Sequence, residues 1–397
     1  MYRLFYIAFI LLLVTKVATA ESEFSGEVSL ENRYFVNKDP LSSRDQSETS
    51  LVLKPEYSRS WDQDRKVVTV IPYVRLNSPD NRKTSFDLRE ASIVSAWEKW
   101  ELRAGISKVY WGVTESQHLV DVINQTDSVS NIDGEEKLGQ PMINTTYLSQ
   151  HGNIDLFLLP YFRERTFAGK NGRLRGPLLV DTDNPLYEHE DEERHIDYAA
   201  RYSHTLFDID LGFSYFRGTD RDPLFTTSKL SNVGGELRPF YVQTEQAALD
   251  LQYIYKDWLF KFEGIRKDSH FQNSYIASTA GFEYSFSNIF GGLDLGVIAE
   301  HLYDERGVGS LAAFNNHTFV GSRLALNDEL STELLVGAIF NNEEGDLNSL
   351  RVEGSRRINE NWKWELEGNA FLNSKPDQLL HSFRDDDYLQ FSINYYF

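Results

Sequence analysis

The chain has 397 residues, with 60 acidic side chains against 40 basic ones and a formal charge of −20 at pH 7. That charge repels a polyanion and argues against nucleic acid as a partner. The absence of cysteine excludes a thiol nucleophile, a thiolate metal site and disulfide stapling.

In chain order, Arg3 gives a basic start, Leu4 to Val14 form an apolar run, and Ala18-Thr19-Ala20 supplies small residues at a cleavage site. This reads as a secretory leader over residues 1–20, too short for a membrane anchor. Losing Arg3 and Lys16 with it takes the charge from −20 to −22. No later stretch has the length of a membrane helix. A β-barrel escapes that test, because only alternate residues meet lipid and each strand needs only about ten residues. The 26 Phe and 21 Tyr suit aromatic girdles at the two membrane interfaces.

Strand-like segments run from Phe24 to Phe397. Short polar turns are expected at Asp62–Arg65, Glu98–Trp100, Gly152-Asn153, Phe207-Asp208, Lys256-Asp257, Asn288–Gly291, Asn327–Leu330 and Asn359–Asn361. Longer loops fall near 37–47, 77–85, 111–143, 166–193, 218–238, 268–273, 304–313, 342–346 and 374–387. Eight turns and nine loops connect eighteen strands, with both chain ends on the short-turn side. The strand faces agree: Trp362, Trp364 and Leu366 alternate with Lys363, Glu365 and Glu367. The expected fold is all-β, a transmembrane antiparallel barrel in one domain over residues 21–397.

The third long loop opens with Tyr110-Trp111-Gly112 and carries Thr114-Glu115-Ser116-Gln117, the pattern of a capping box. Leu119, Val122 and Ile123 follow on one helical stripe, which predicts a short helix over Glu115–Ile123. Its expected placement is a constriction inside the barrel mouth, with a cap on the outer rim as the alternative. Further on, Arg163 and Arg165 are expected at the end of strand seven, facing water, with Lys170, Arg173 and Arg175 in the loop beyond. Guanidinium groups suit carboxylates and phosphates, so this cluster could meet an anionic solute or pair with lumen acids. Elsewhere the inward positions are acid-rich, which favours cations in bulk. Candidate pore and solute residues are Arg103, Arg163, Arg165, Arg201, Glu115 and Asp121. The acidic runs 188–193 and 385–387 read as solvated outer loop, without the spacing of a calcium loop. No catalytic, cofactor or metal residue is assigned.

The last strand places Leu389, Phe391, Ile393, Tyr395 and Phe397 on one face and Gln390, Ser392 and Asn394 on the other. Here the chain resembles Gram-negative outer-membrane barrels, whose closing strand ends in Phe. Residues 105–127 look like part of a broad group of proteobacterial porins, and the whole plan resembles the eighteen-stranded alginate-export porins. These resemblances imply a passive outer-membrane channel for small hydrophilic solutes or ions. Its implied partners are membrane lipid, lipopolysaccharide, the barrel assembly machinery and, as in many porins, further copies of itself. Two other classes stay open: a barrel hydrolase, for which Ser149 and His151 are the available pair, and a non-transporting surface or adhesion barrel. No Gly-x-Ser-x-Gly, His-Glu-x-x-His or phosphate-binding glycine loop is present.

Overall fold

A computed structural model describes residues 21–39, 44–227, 235–307, 314–376 and 378–397. The expected leader lies outside the described residues. Eighteen antiparallel strands, from Glu21–Phe35 to Tyr388–Tyr396, each pair with their chain neighbours in one sheet. The first strand pairs with the second from Glu21↔Ser60 to Tyr34↔Ser47, and with the last from Glu27↔Tyr396 to Phe35↔Tyr388. The sheet therefore closes and has no free edge. No helix in the described residues is long and apolar enough to cross a membrane, which says nothing of a β-barrel.

Alternation along each strand sorts the two faces. Phe213, Leu156, Leu389 and Phe391 are each at least half exposed on the outer wall, while Ser29, Asn394, Glu263 and Glu300 are buried within. A soluble protein would not leave such a continuous apolar outer surface bare. At the short-turn rim the outer wall carries paired rings: Trp100 with Tyr147 at 4.7 Å, Trp362 with Tyr395 at 4.9 Å, and Trp258 with Tyr284 at 4.7 Å. This is the girdle position, where an amphipathic ring meets both acyl chains and headgroups.

The short turns fall close to their expected places. At Asp62, Gln63 and Asp64 three successive residues take φ near +59°, a left-handed run that suits Asp and Asn chemistry. One turn is displaced: Gly152 begins the seventh strand, Gly152–Leu159, and the reversal sits at Gln150-His151. That strand also ends earlier than expected, so Arg163 and Arg165 belong to the following loop and not to the wall. In the outer loops, Leu224–Thr227, Leu237–Tyr241 and Leu186–Tyr187 form a small three-stranded sheet.

Candidate functional site

The segment after the fifth strand, Trp100–Ser107, is where inner wall and loop meet. Residues 108–139 form no helix, contrary to the capping-box expectation. The reason lies in a wall carboxylate. Glu263, on the eleventh strand Trp258–Ser269, accepts the backbone N–H of Val113 at 2.7 Å, of Thr114 at 3.0 Å and of Val120 at 3.3 Å. In a helix, residues 114 and 120 would stand about 9 Å apart along the axis. Their convergence on one carboxylate demands a tight loop. The Thr114 hydroxyl lies 2.8 Å from the same carboxylate and 2.6 Å from the Gln117 carbonyl, so it donates and does not cap a helix.

A second carboxylate repeats the device. Glu300, on the thirteenth strand Leu293–Asp304, accepts the N–H of Glu115 and of Ser116, both at 2.8 Å, and the Ser116 hydroxyl at 2.6 Å. Charge-assisted bonds from backbone N–H groups to a buried carboxylate are among the stronger ones a protein makes. At the root of the segment Asn124, 1 % exposed, donates to the carbonyls of Ser107 and Leu138 and accepts the N–H of Val109.

Apolar packing adds to this latch. Trp111, Val120, Val122 and Ile123 cluster with inward residues of seven successive strands, from Met142 to Ala277. Past this patch the segment reaches the rest of the wall: Asp127 pairs with Arg89 on the fourth strand, Asp133 with Arg351 at 2.7 Å, and Asn131 donates to Glu367. Only an element lying inside the barrel can touch inward side chains around so much of its circumference.

Within the segment, His118 stands 2.8 Å from Glu135 and 3.8 Å from Glu263, with the Tyr110 hydroxyl 2.7 Å from its Nε2. Burial works against the imidazolium, but bonding and attraction to the two glutamates outweigh it and push His118 up to about 10.

The six candidate residues separate. Glu115 pairs with Arg323 at 2.8 Å, and Arg165 with Asp222 at 2.7 Å; both line a cavity of about 1000 Å³ between the segment and the outer loops. The other four do not line it. Arg201 makes a two-pronged bond to Asp250, Arg163 pairs with Asp87 at 2.9 Å, and Arg103 lies 3.7 Å from Glu101. Asp121 is buried beside Lys137 at 3.3 Å. The basic run is likewise dispersed: Arg173 binds Asp386 at 2.7 Å and the Asn37 carbonyl at 2.7 Å. Asp386 is thus buried and paired, against the expectation of a solvated acidic run.

The latch residues went unsingled in sequence because Glu263 and Glu300 look like any inward acid. One signal was available. Across the ladder Glu263 faces Asp250 and Thr279, and Glu300 faces Gly281 and Phe319, so neither has a cation opposite and each must find its donors elsewhere. The Ser149 hydroxyl is engaged in its turn, donating to the Gly152 carbonyl and accepting the His151 backbone N–H. Among the described residues no group of three His, Asp or Glu side chains is placed to hold a metal ion.

No family model matches the chain, and no curated protein matches it. Among solved structures, an engineered variant of the Rh. blastica porin is 10% identical with a TM-score of 0.46, over 95% of this chain and 100% of that one. OmpT, an outer membrane protein of Vibrio cholerae in its trimer form, is 9% identical with a TM-score of 0.47, over 96% and 100%. At those values the likeness carries no weight beside the geometry. The closed antiparallel barrel, its apolar outer wall and its aromatic rim make this chain a membrane-spanning antiparallel β-barrel.

Proposed function

We propose that the protein is a passive outer-membrane channel for small solutes or ions, without enzymatic activity, in which residues 108–139 form the constriction. The observation that carries this reading is the capture of four successive backbone amides, Val113 to Ser116, by the inward carboxylates Glu263 and Glu300. A loop tied to the inner wall narrows the passage without contributing to the barrel ladder. Residues 1–20 act as the cleaved leader, and a mature chain beginning at Glu21 by mass spectrometry checks this.

The test is conductance. Purified protein in planar bilayers should carry KCl current in discrete steps. Replacing Thr114–Asn124 by a short Gly/Ser bridge should raise the single-channel conductance and admit larger solutes into liposomes. A correctly folded deletion protein with unchanged conductance removes the constriction from this reading. A wild-type barrel with no current removes the channel itself and leaves a surface protein.

A further inference from the structure

The cavity of about 1000 Å³ above the inward-folded segment has a mixed lining of apolar, aromatic and charged side chains. More of that lining is apolar than polar. Phe319, Leu335 and Ile339 point into it from the fourteenth and fifteenth strands, Asn316–Ala325 and Glu333–Asn341. Phe225, Leu379 and Phe383 close it from the outer loops. Part of this surface packs on itself, Phe319 with Leu335 and Ile339, and Phe383 with Phe371 and Leu380; the part left facing the cavity is built as pockets for organic ligands are, with a few placed polar groups.

The charges around the cavity are nearly all accounted for. His118 meets Glu135, Arg165 meets Asp222, Arg306 meets Asp304 and Arg351 meets Asp133. Arg175 is the exception. Among the described residues no carboxylate lies within ion-pair distance of it, and its only hydrogen bonds go to the carbonyls of Gly176 at 2.9 Å and Lys170 at 3.4 Å. Its Nε is buried without a hydrogen-bond partner. Burial, and then the cation of Arg44 nearby, hold its guanidinium below the ordinary arginine value, and the carboxylates of Asp39, Asp386 and Asp80, none within ion-pair distance, offset this only in part.

We propose that this cavity receives an amphipathic organic anion, an apolar body of ring size bearing one carboxylate, with the carboxylate on Arg175 and the body against the apolar wall. The guanidinium edge matches the two oxygens of a carboxylate, and the volume lies at the upper end of pockets that enclose small organic molecules. Such a solute would dwell above the constriction before passing it. The proposal names the solute class of the channel and so rests on the channel reading.

Three probes separate its parts: 2-naphthoate has ring and charge, gluconate has charge without a ring, and 2-naphthalenemethanol has a ring without charge. On KCl current through the full-length protein, 2-naphthoate should cause block at concentrations about tenfold or more below either control, the scale of one hydrogen bond to a charged group. Arg175→Gln should raise that blocking concentration by about tenfold, and Ile339→Ser should raise it too while gluconate stays ineffective. Calorimetric titration of the detergent-solubilised barrel with 2-naphthoate supplies a readout that needs no conduction. Binding in the calorimeter without KCl current would sink the channel reading and keep the site. Normal KCl current with gluconate as effective as 2-naphthoate overturns the proposal, as does block insensitive to Arg175→Gln. If Arg175→Gln does not fold, judged by its gel mobility before and after heating, Arg175→Lys and Ile339→Ser decide. Undiminished 2-naphthoate binding in both overturns the site.

Discussion

Glu365 and Leu366 are chain neighbours on the seventeenth strand, Trp362–Phe371, yet they live in different solvents. Glu365 faces inward, 2.7 Å from Lys363 and accepting a bond from Asn394. Leu366 faces outward, in register with Phe391 on one side and Gly354 on the other. Leu366→Arg should cost roughly 2–4 kcal/mol of refolding stability if it lies near the bilayer midplane. Glu365→Arg should cost under about 1 kcal/mol, because its ion pair is partly exposed and water reaches the replacement. Urea refolding into lipid vesicles measures both, and equal losses would refute the face assignment. His118 gives a pH-dependent counterpart. Its value in the folded segment, about 10, lies above the ordinary 6.5, so its support for the latch is fully present below about pH 6.5 and lost as pH rises through 10. Single-channel current noise should therefore grow across that window in wild type and show no such step in His118→Gln.

At the scale of the element, the seam between first and last strands rests on a pair of reciprocal bonds. Gly26 N–H donates to the Phe397 carbonyl at 3.0 Å, and Phe397 N–H donates to the Gly26 carbonyl at 3.1 Å. The Phe397 ring covers Gly26 so closely that a Cβ there would stand 2.7 Å from it, and it packs against Phe24 at 5.6 Å. Deleting Phe397 removes two ladder bonds and one ring from the lipid-facing rim together. Assembly yield in the outer membrane, read by heat-modifiable gel mobility, should drop. Gly26→Val should lower it too, since a Cβ there meets the ring and also the Lys54 carbonyl and the Pro55 Cα, both at 2.9 Å. Wild-type assembly of the deleted chain would show that the seam tolerates its loss. The segment 108–139 teaches the opposite lesson about local pattern. Its capping-box residues are all present, but two wall glutamates compete for the same amides and win, because a buried carboxylate without donors would cost more than a short helix stabilises.

For the whole molecule, an acid-rich lining suggests strong cation preference, and the ion pairs temper it. Glu31 is taken by Arg75, Asp250 by Arg201, Glu283 by Lys261 and Asp197 by Arg221. Paired charges leave a weak long-range field. The reversal potential in a KCl gradient should show a small cation preference that fades near 1 M salt, where the screening length falls to about 3 Å. A steep preference that survives high salt would mean that unpaired acids line the narrowest point. Bulk ion preference and the recognition of an organic anion at Arg175 are separate quantities, since the first averages over the lining and the second is one contact in an apolar cavity.

Much of the barrel was legible in the sequence because its determinants are short-ranged. Period-two alternation in Trp362 to Asn369, and turn residues such as Asp62 and Asp64, act over a few positions, and together they yield eighteen strands with eight short turns. Closure of the sheet follows once both ends carry complementary faces. The interior was not legible, because its contacts join residues far apart in the chain: Thr114 meets Glu263 across 149 positions, and Asn131 meets Glu367 across 236. Alternation states that Glu263 points inward but not which amides it meets. It also cannot tell an inward Ile339 lining a cavity from one covered by a folded loop. Those choices depend on which segments share the lumen, and only the closed barrel brings them within hydrogen-bonding distance.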